Sequence, residues 1–290
     1  MARLTSRSPR WWRGVVGVLA GLYFVVPMAA SILFTVNVPG QGFSLSAYTG
    51  ILSASGFGQS LLLSLELAAA TIVVVLGLLV PAVLAVRLSA PRLRPVLEIV
   101  CSLPLVIPSV ALVAGYSNVL QWGPQYLSRT PLFETFVAAQ DPGFPVVLVL
   151  GYSVMALPLA YRALDAGMRA VNVRTLMEAA RSCGASRWRA VFQAVLPNLR
   201  GALLNAAFLT LALVLGEYTM GNLLGFRTFA VWIVAVGGEQ AQLSVAVSVL
   251  SLLITWALLL VLAFAGRARS RTPRRSAASA APALIPQESA

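Results

Sequence analysis

Apolar residues run through this chain in long blocks separated by short polar stretches. Six blocks approach the ~20 residues that cross a ~30 Å hydrocarbon core as a helix. They fall near 14–36, 59–86, 96–120, 144–164, 202–223 and 241–265, and the pattern predicts an all-α membrane protein of about six transmembrane helices. The first block exceeds the 7–15 apolar residues of a secretory leader, so an uncleaved helix is expected there. The two halves show no internal repeat, which weighs against secondary-carrier folds built from inverted repeats. Several blocks carry helix breakers: Gly77 and Pro81, Pro104 and Pro108, Gly151 and Pro158, then Gly216. Broken backbone in lipid needs polar partners, so such kinks fall where helices pack together or line a cavity. The stretches 37–58, 121–143 and 224–240 are nearly neutral and rich in Gly, Ser, Pro and Gln. They are expected to be loops on one side of the membrane.

Charge sets the orientation. All 21 basic residues are arginine. Four precede the first block, three fall at 87–94, seven at 162–200 and five at 267–275, leaving only Arg129 and Arg227 on the other side. The positive-inside rule then predicts two cytoplasmic termini in a multi-pass protein of a prokaryotic inner membrane. The tail over 267–290 mixes Arg, Ser, Ala and Pro without apolar period, which predicts a disordered segment held near anionic headgroups of membrane lipid. Residues 1–13 form a basic N-terminal segment, 14–36 the first span, and 55–265 the core.

Composition narrows the chemistry. With 59% hydrophobic and 10% charged residues in 290, the chain is too apolar for a water-soluble domain. It contains no Lys and no His. A P-loop needs its Lys on the β- and γ-phosphates, so ATP cannot be hydrolysed here by that route, and the energy must come from another protein. The common zinc sites, a Ser-His-Asp triad and a histidine relay are also excluded. No cofactor or metal is expected, and the chain does not read as an enzyme. The net charge of +12 belongs to arginines flanking apolar spans, which argues against nucleic acid. Cys101 and Cys183 are too few and too differently placed for a disulfide framework.

The most informative segment is the long basic loop from Arg162 to Leu203. Leu176, Ala179, Ala180 and Cys183 recur at helical spacing with Arg174, Glu178 and Arg181 on other faces, which predicts a short amphipathic helix ended by Gly184. Trp188, Val191, Phe192 and Val195 repeat the period in a second helix, and Pro197 precedes the next span. Composition alone would make this an interfacial helix pair lying on headgroups.

The run Glu178-Ala179-Ala180, three residues, Gly184, and a spacer ending in Leu196-Pro197 resembles the EAA loop of permease subunits of binding-protein-dependent ABC importers of type I. Ala194 stands where that pattern has Ile; the Gly and the Leu-Pro ending are intact. Gly184-Ala185-Ser186-Arg187-Trp188 and Gly216-Glu217-Tyr218 are similar to the same family, over positions 55 to 265. The resemblance implies a permease forming half of a translocation path, with ABC ATPase subunits, a second identical or homologous permease and an extracytoplasmic solute-binding protein as partners. It implies a coupling helix at 174–197 seated in a cleft of the ATPase. Glu178, Ala179, Ala180, Gly184, Arg187, Trp188, Leu196 and Pro197 would form that surface.

Three carboxylates fall in or beside the apolar blocks. Glu98 stands near Arg94 at the expected cytoplasmic edge and reads as an interfacial anchor. Glu66 and Glu217 read either as path residues or as groups bonded to neighbouring helices, since a carboxylate at mid-bilayer costs about 2.5–3.5 kcal/mol. Asn205, Tyr218 and Asn222 are further polar candidates for the path. Acids without arginines inside the spans suggest a cationic solute, and the fifth block looks most like the spermidine/putrescine and ferric-iron permeases, so polyamine is the expected cargo. The alternatives from other classes are a membrane scaffold or sensor binding a cytoplasmic partner, and an ion-coupled secondary carrier.

Overall fold

Helices make up most of the described residues, since a polar backbone in lipid has no water to bond and a helix satisfies its own N–H and C=O groups. The computed structural model describes residues 10–38 and 42–268. In chain order the elements are α1 (Arg10–Val36), a two-stranded hairpin of β1 (Asn37–Val38) and β2 (Gly42–Phe43), α2 (Ser46–Thr49) and α3 (Phe57–Leu88). A 3-10 turn (Pro91–Leu93) leads to α4 (Arg94–Ser102), a second one (Leu103–Leu105) to α5 (Ser109–Tyr126), and then come α6 (Leu132–Ala138) and α7 (Val146–Ala170). They are followed by α8 (Val173–Ser182), α9 (Arg187–Ala190), a π-helical turn (Val191–Val195), α10 (Leu196–Gly216), α11 (Thr219–Leu223), α12 (Phe229–Gly237) and α13 (Ala241–Ala268). Residues 1–9 of the segment expected to be basic and cytoplasmic, and the tail beyond Ala268 expected to lie near lipid headgroups, fall outside the described residues.

Four helices among the described residues are long and apolar enough to cross a membrane, Gly14–Val36, Phe57–Leu88, Val146–Ala170 and Arg187–Gly216, and a bent pair makes a fifth. The apolar stretch Ala241–Ala257 of α13 corresponds to the sixth expected block. The chain divides after Ser251 into two compact units. The second begins at Leu252, and its described part continues α13 with exposed Leu252, Ile254 and Trp256.

In the first unit α3, α7 and α10 pack on one another, and α7 against α10 is the most extensive of these contacts. Glycine makes that approach possible. A Cβ at Gly167 would stand 2.2 Å from Cβ of Ala202, and one at Gly151 would stand 2.3 Å from Sδ of Met220. Small residues let membrane helices close up where no hydrophobic force between them is available. Val75, Leu79 and Val83 of α3 meet Ala160, Leu164 and Met168 of α7 and Leu199 and Ala206 of α10 in the main buried cluster.

Two expected breaks form and two expectations are corrected. The third block bends where its prolines stand: Pro91–Leu105 and Ser109–Tyr126 meet at 94°, because Pro104 lies in a 3-10 turn and Pro108 is extended at φ −58, ψ 141, and a proline lacks the N–H that would continue the ladder. The fifth block ends at Gly216, with Glu217 extended at φ −81, ψ 115 and a new short helix after it. The stretch 224–240 is not a loop but holds α12, whose Phe229 and Trp232 bury against Ala47, Ile51, Leu243 and Val247. Its first amide, Phe229 N–H, donates to Ser64 Oγ at 2.8 Å, and Trp232 Nε1 donates to the Ser55 carbonyl at 2.9 Å. Finally, Pro197 does not separate two helices. Arg187–Gly216 is one 30-residue helix in which the wide π turn just before Pro197 makes room for its ring. Pro81 likewise lies inside an unbroken α3.

Candidate functional site

The loop between α7 and α10 is built by three local devices. Asn172 caps α8, its Oδ1 accepting from Thr175 N–H at 3.2 Å. At the other end Gly184 takes φ +84. Gly184 N–H donates to the Arg181 carbonyl at 2.9 Å and Ala185 N–H to the Ala180 carbonyl at 3.1 Å, the paired bonds of a Schellman ending, which needs a left-handed residue at that point. Nothing lies within 4 Å of where a Cβ at Gly184 would be, so the turn requires glycine for its backbone and not for space. Ser186 then caps α9, its Oγ accepting from Arg189 N–H at 3.4 Å.

The amphipathic helix forms as expected, with a different apolar face. Val173 and Met177 are buried and Leu176 and Ala180 half-buried, whereas Ala179 and Cys183 are exposed. The i, i+4 pair Val173 and Met177 fixes the rotation, because these two reach the main core cluster. The outward face carries Glu178, Ala179 and Arg181, and across the turn Arg187 and a 75% exposed Trp188. Arg174 Nε donates to Glu178 Oε1 at 3.0 Å, both side chains open to solvent. Such an exposed pair is weak and exchanges readily for a partner's charge. Between α8, α9 and the end of α3 lies a cleft of about 530 Å³ bordered by Leu88, Arg174, Met177, Glu178, Arg187 and Trp188. Leu196 is half-buried and Pro197 exposed on the helix that continues into α10.

Glu66 on α3, Asn205 on α10, Tyr218, and Asn222 on α11 are exposed, and Glu217 is buried. The Glu217 carboxylate accepts from Met220 N–H at 2.9 and 3.2 Å, so from the position before the N-cap Tyr218 it satisfies an amide of the first turn of α11 at the break after α10. Glu98 is exposed, and Arg94, its expected neighbour, turns instead to Asp165.

Asp165 was not singled out in the sequence. It is buried near the end of α7 and receives Arg87, Arg94 at 3.3 Å and Arg169 at 2.5 Å. Its spacing to Arg169, one helical turn, was the only local signal. The partners on α3 and α4 lie 78 and 71 residues away.

Comparison with known proteins bears on the whole arrangement. The family described as binding-protein-dependent transport system inner membrane component matches residues 74–274. The chain belongs to that family. The matched region holds the bent pair, the α7–α10 packing and the capped loop, and the family is one of membrane transport components and not of enzymes. Among relatives, the molybdenum transport system permease protein ModB of Escherichia coli (strain K12) is 33% identical over 135 residues, 47% of this chain and 57% of that protein. The putative molybdenum transport system permease protein YvgM of Bacillus subtilis (strain 168) is 29% identical over 177 residues, 58% of this chain and 72% of the relative. ModB of Azotobacter vinelandii is 29% identical over 171 residues, 56% and 70% of the two chains. The chain thus spans little more than half of the E. coli relative. These permease proteins carry molybdenum in their names, not a polyamine or ferric iron.

Proposed function

We propose that this chain is the permease subunit of an ABC importer, forming half of a translocation path with a second permease and driven by separate ATPase subunits. The reading rests above all on the capped helix, Schellman turn and second helix of 172–190, which present Glu178, Arg187 and Trp188 around one cleft and run without a break into a membrane span. A partner helix-binding groove that grips this surface would act directly on α10. The permease core is taken as 55–265. Arginine placement supports a cytoplasmic location for the loop. An exposed Glu66 within α3 is poorly suited to lipid, and favours water or a second permease on that face.

For the solute, we propose a molybdenum oxyanion delivered by an extracytoplasmic binding protein. The names of the relatives support it, and the Glu217 carboxylate, on which the sequence argument for a cation leaned, already accepts from the Met220 amide at the start of α11. The test is uptake into vesicles containing this chain, its co-purifying ATPase and a binding protein. ATP-dependent accumulation of molybdate, with none of spermidine, is expected. Accumulation of spermidine alone would overturn the solute. Uptake abolished by ionophore and indifferent to ATP would overturn the importer.

A further inference from the structure

Three arginines from three elements converge on one carboxylate. Arg87 lies in the last turn of α3, Arg94 opens α4 and Arg169 lies in the last turn of α7; all reach Asp165, whose side chain is 7% exposed. Arg87 also donates to the carbonyls of Met168 at 2.9 Å and Asp165 at 3.0 Å. The group is short of acceptors. Each guanidinium carries about five N–H donors, against one carboxylate and two carbonyls, and Nε of Arg87 and of Arg94 is buried with no hydrogen-bond partner. It is also short of negative charge, with three cations sharing one anion in a partly desolvated place where their repulsion is weakly screened.

Beside this cluster opens a cleft of about 450 Å³ whose lining includes Arg87, Arg94, Arg169, Arg174, Asn172 and Val173, a volume within the usual range of ligand sites. Arg94 and Arg169 keep 41% and 59% of their side chains exposed while holding Asp165. Val173 and Arg174 are the first residues of the ten-residue α8, whose N-terminus adds positive potential. We propose that this cleft binds a phosphate group, that of an anionic phospholipid headgroup. A phosphate supplies the oxygens that the guanidiniums lack, in the geometry they match best. The lipid is favoured over free phosphate because Arg87 and Arg169 stand at the ends of two membrane spans, the level at which headgroups lie. The site adjoins the cleft proposed for the ATPase and shares Leu88 and Arg174 with it, but Arg87, Arg94 and Arg169 line this cleft alone, and its occupancy does not depend on that reading.

The full chain, purified in uncharged detergent, is to be incubated with phosphatidylglycerol or phosphatidylcholine and weighed by native mass spectrometry, with and without millimolar inorganic phosphate. One phosphatidylglycerol is expected to be retained in preference to phosphatidylcholine, about tenfold less in the double variant Arg94→Gln, Arg169→Gln. Asn172→Asp keeps a good helix cap and adds a negative charge at the cleft, so it should lower retention without removing an arginine. Displacement by inorganic phosphate, or a phosphate adduct lost in the variants without enrichment of phosphatidylglycerol, would support the phosphate site and assign free anion as its occupant. Equal retention of the two lipids with no phosphate effect, or retention unchanged in both the double variant and Asn172→Asp, would overturn it.

Discussion

Gly184 and Asp165 carry the sharpest residue-scale expectations. The left-handed backbone at Gly184 costs an ordinary L-residue roughly 1–2 kcal/mol, while the space around it is open. Gly184→Ala should therefore cut ATP-driven uptake with the membrane level of the chain unchanged, and Gly184→Asn, although larger, should retain more uptake because Asn tolerates this conformation. If Asn were as damaging as Ala, conformation would not be the reason for glycine. Asp165→Asn leaves three guanidiniums around a neutral amide. Removing one side of a buried ion pair costs about 3–5 kcal/mol, and a loss at the lower end, because the arginines are partly wet, should appear as a lower melting temperature in detergent. Arg94→Gln should cost clearly less, since Arg94 makes the longest of the three contacts at 3.3 Å and is 41% exposed.

At the scale of elements, the α7–α10 seam decides whether the bundle closes. Gly167→Ala would drive one Cβ against another at 2.2 Å, with Ala202 unable to move apart from its helix. Overpacking of this kind costs about 1–3 kcal/mol or more. Gly151→Ala meets the flexible Met220 thioether instead, so its yield of folded protein on size-exclusion chromatography should exceed that of Gly167→Ala. Much of this level was legible in the sequence. The apolar blocks located the helices, and Pro104 and Pro108 marked the bend, because these signals are local. The short α12 was hidden, since Phe229 and Trp232 acquire a buried face only when α3 and α13 supply Ser64, Leu243 and Val247. Ala179 and Cys183 were placed on the wrong face of α8 for a related reason: several apolar rotations are compatible with so short a helix, and docking through Val173 and Met177 selects one. The Asp165 cluster joins residues more than 70 positions apart, a pairing that periodicity cannot carry.

At the scale of the molecule, the proposed importer reading makes the exposed surface of α8 and α9 the place where a separate ATPase would dock. Trp188, 75% exposed beside Arg187, has the character of an anchoring residue at an interface. Trp188→Ala is expected to weaken co-purification of the ATPase at least about tenfold, a loss of more than 1 kcal/mol; undiminished recovery would move the docking site elsewhere. The unbroken helix from Arg187 to Gly216 gives that contact a mechanical meaning. Thirty residues at 1.5 Å each make a rod about 45 Å long, with Trp188 near one tip and the Glu217 break at the other. On the proposed function, a tilt of about 10° imposed at the Trp188 end would sweep the Glu217 end through roughly 8 Å, so a lever of this length would need only a slight angular stroke to move the break after α10.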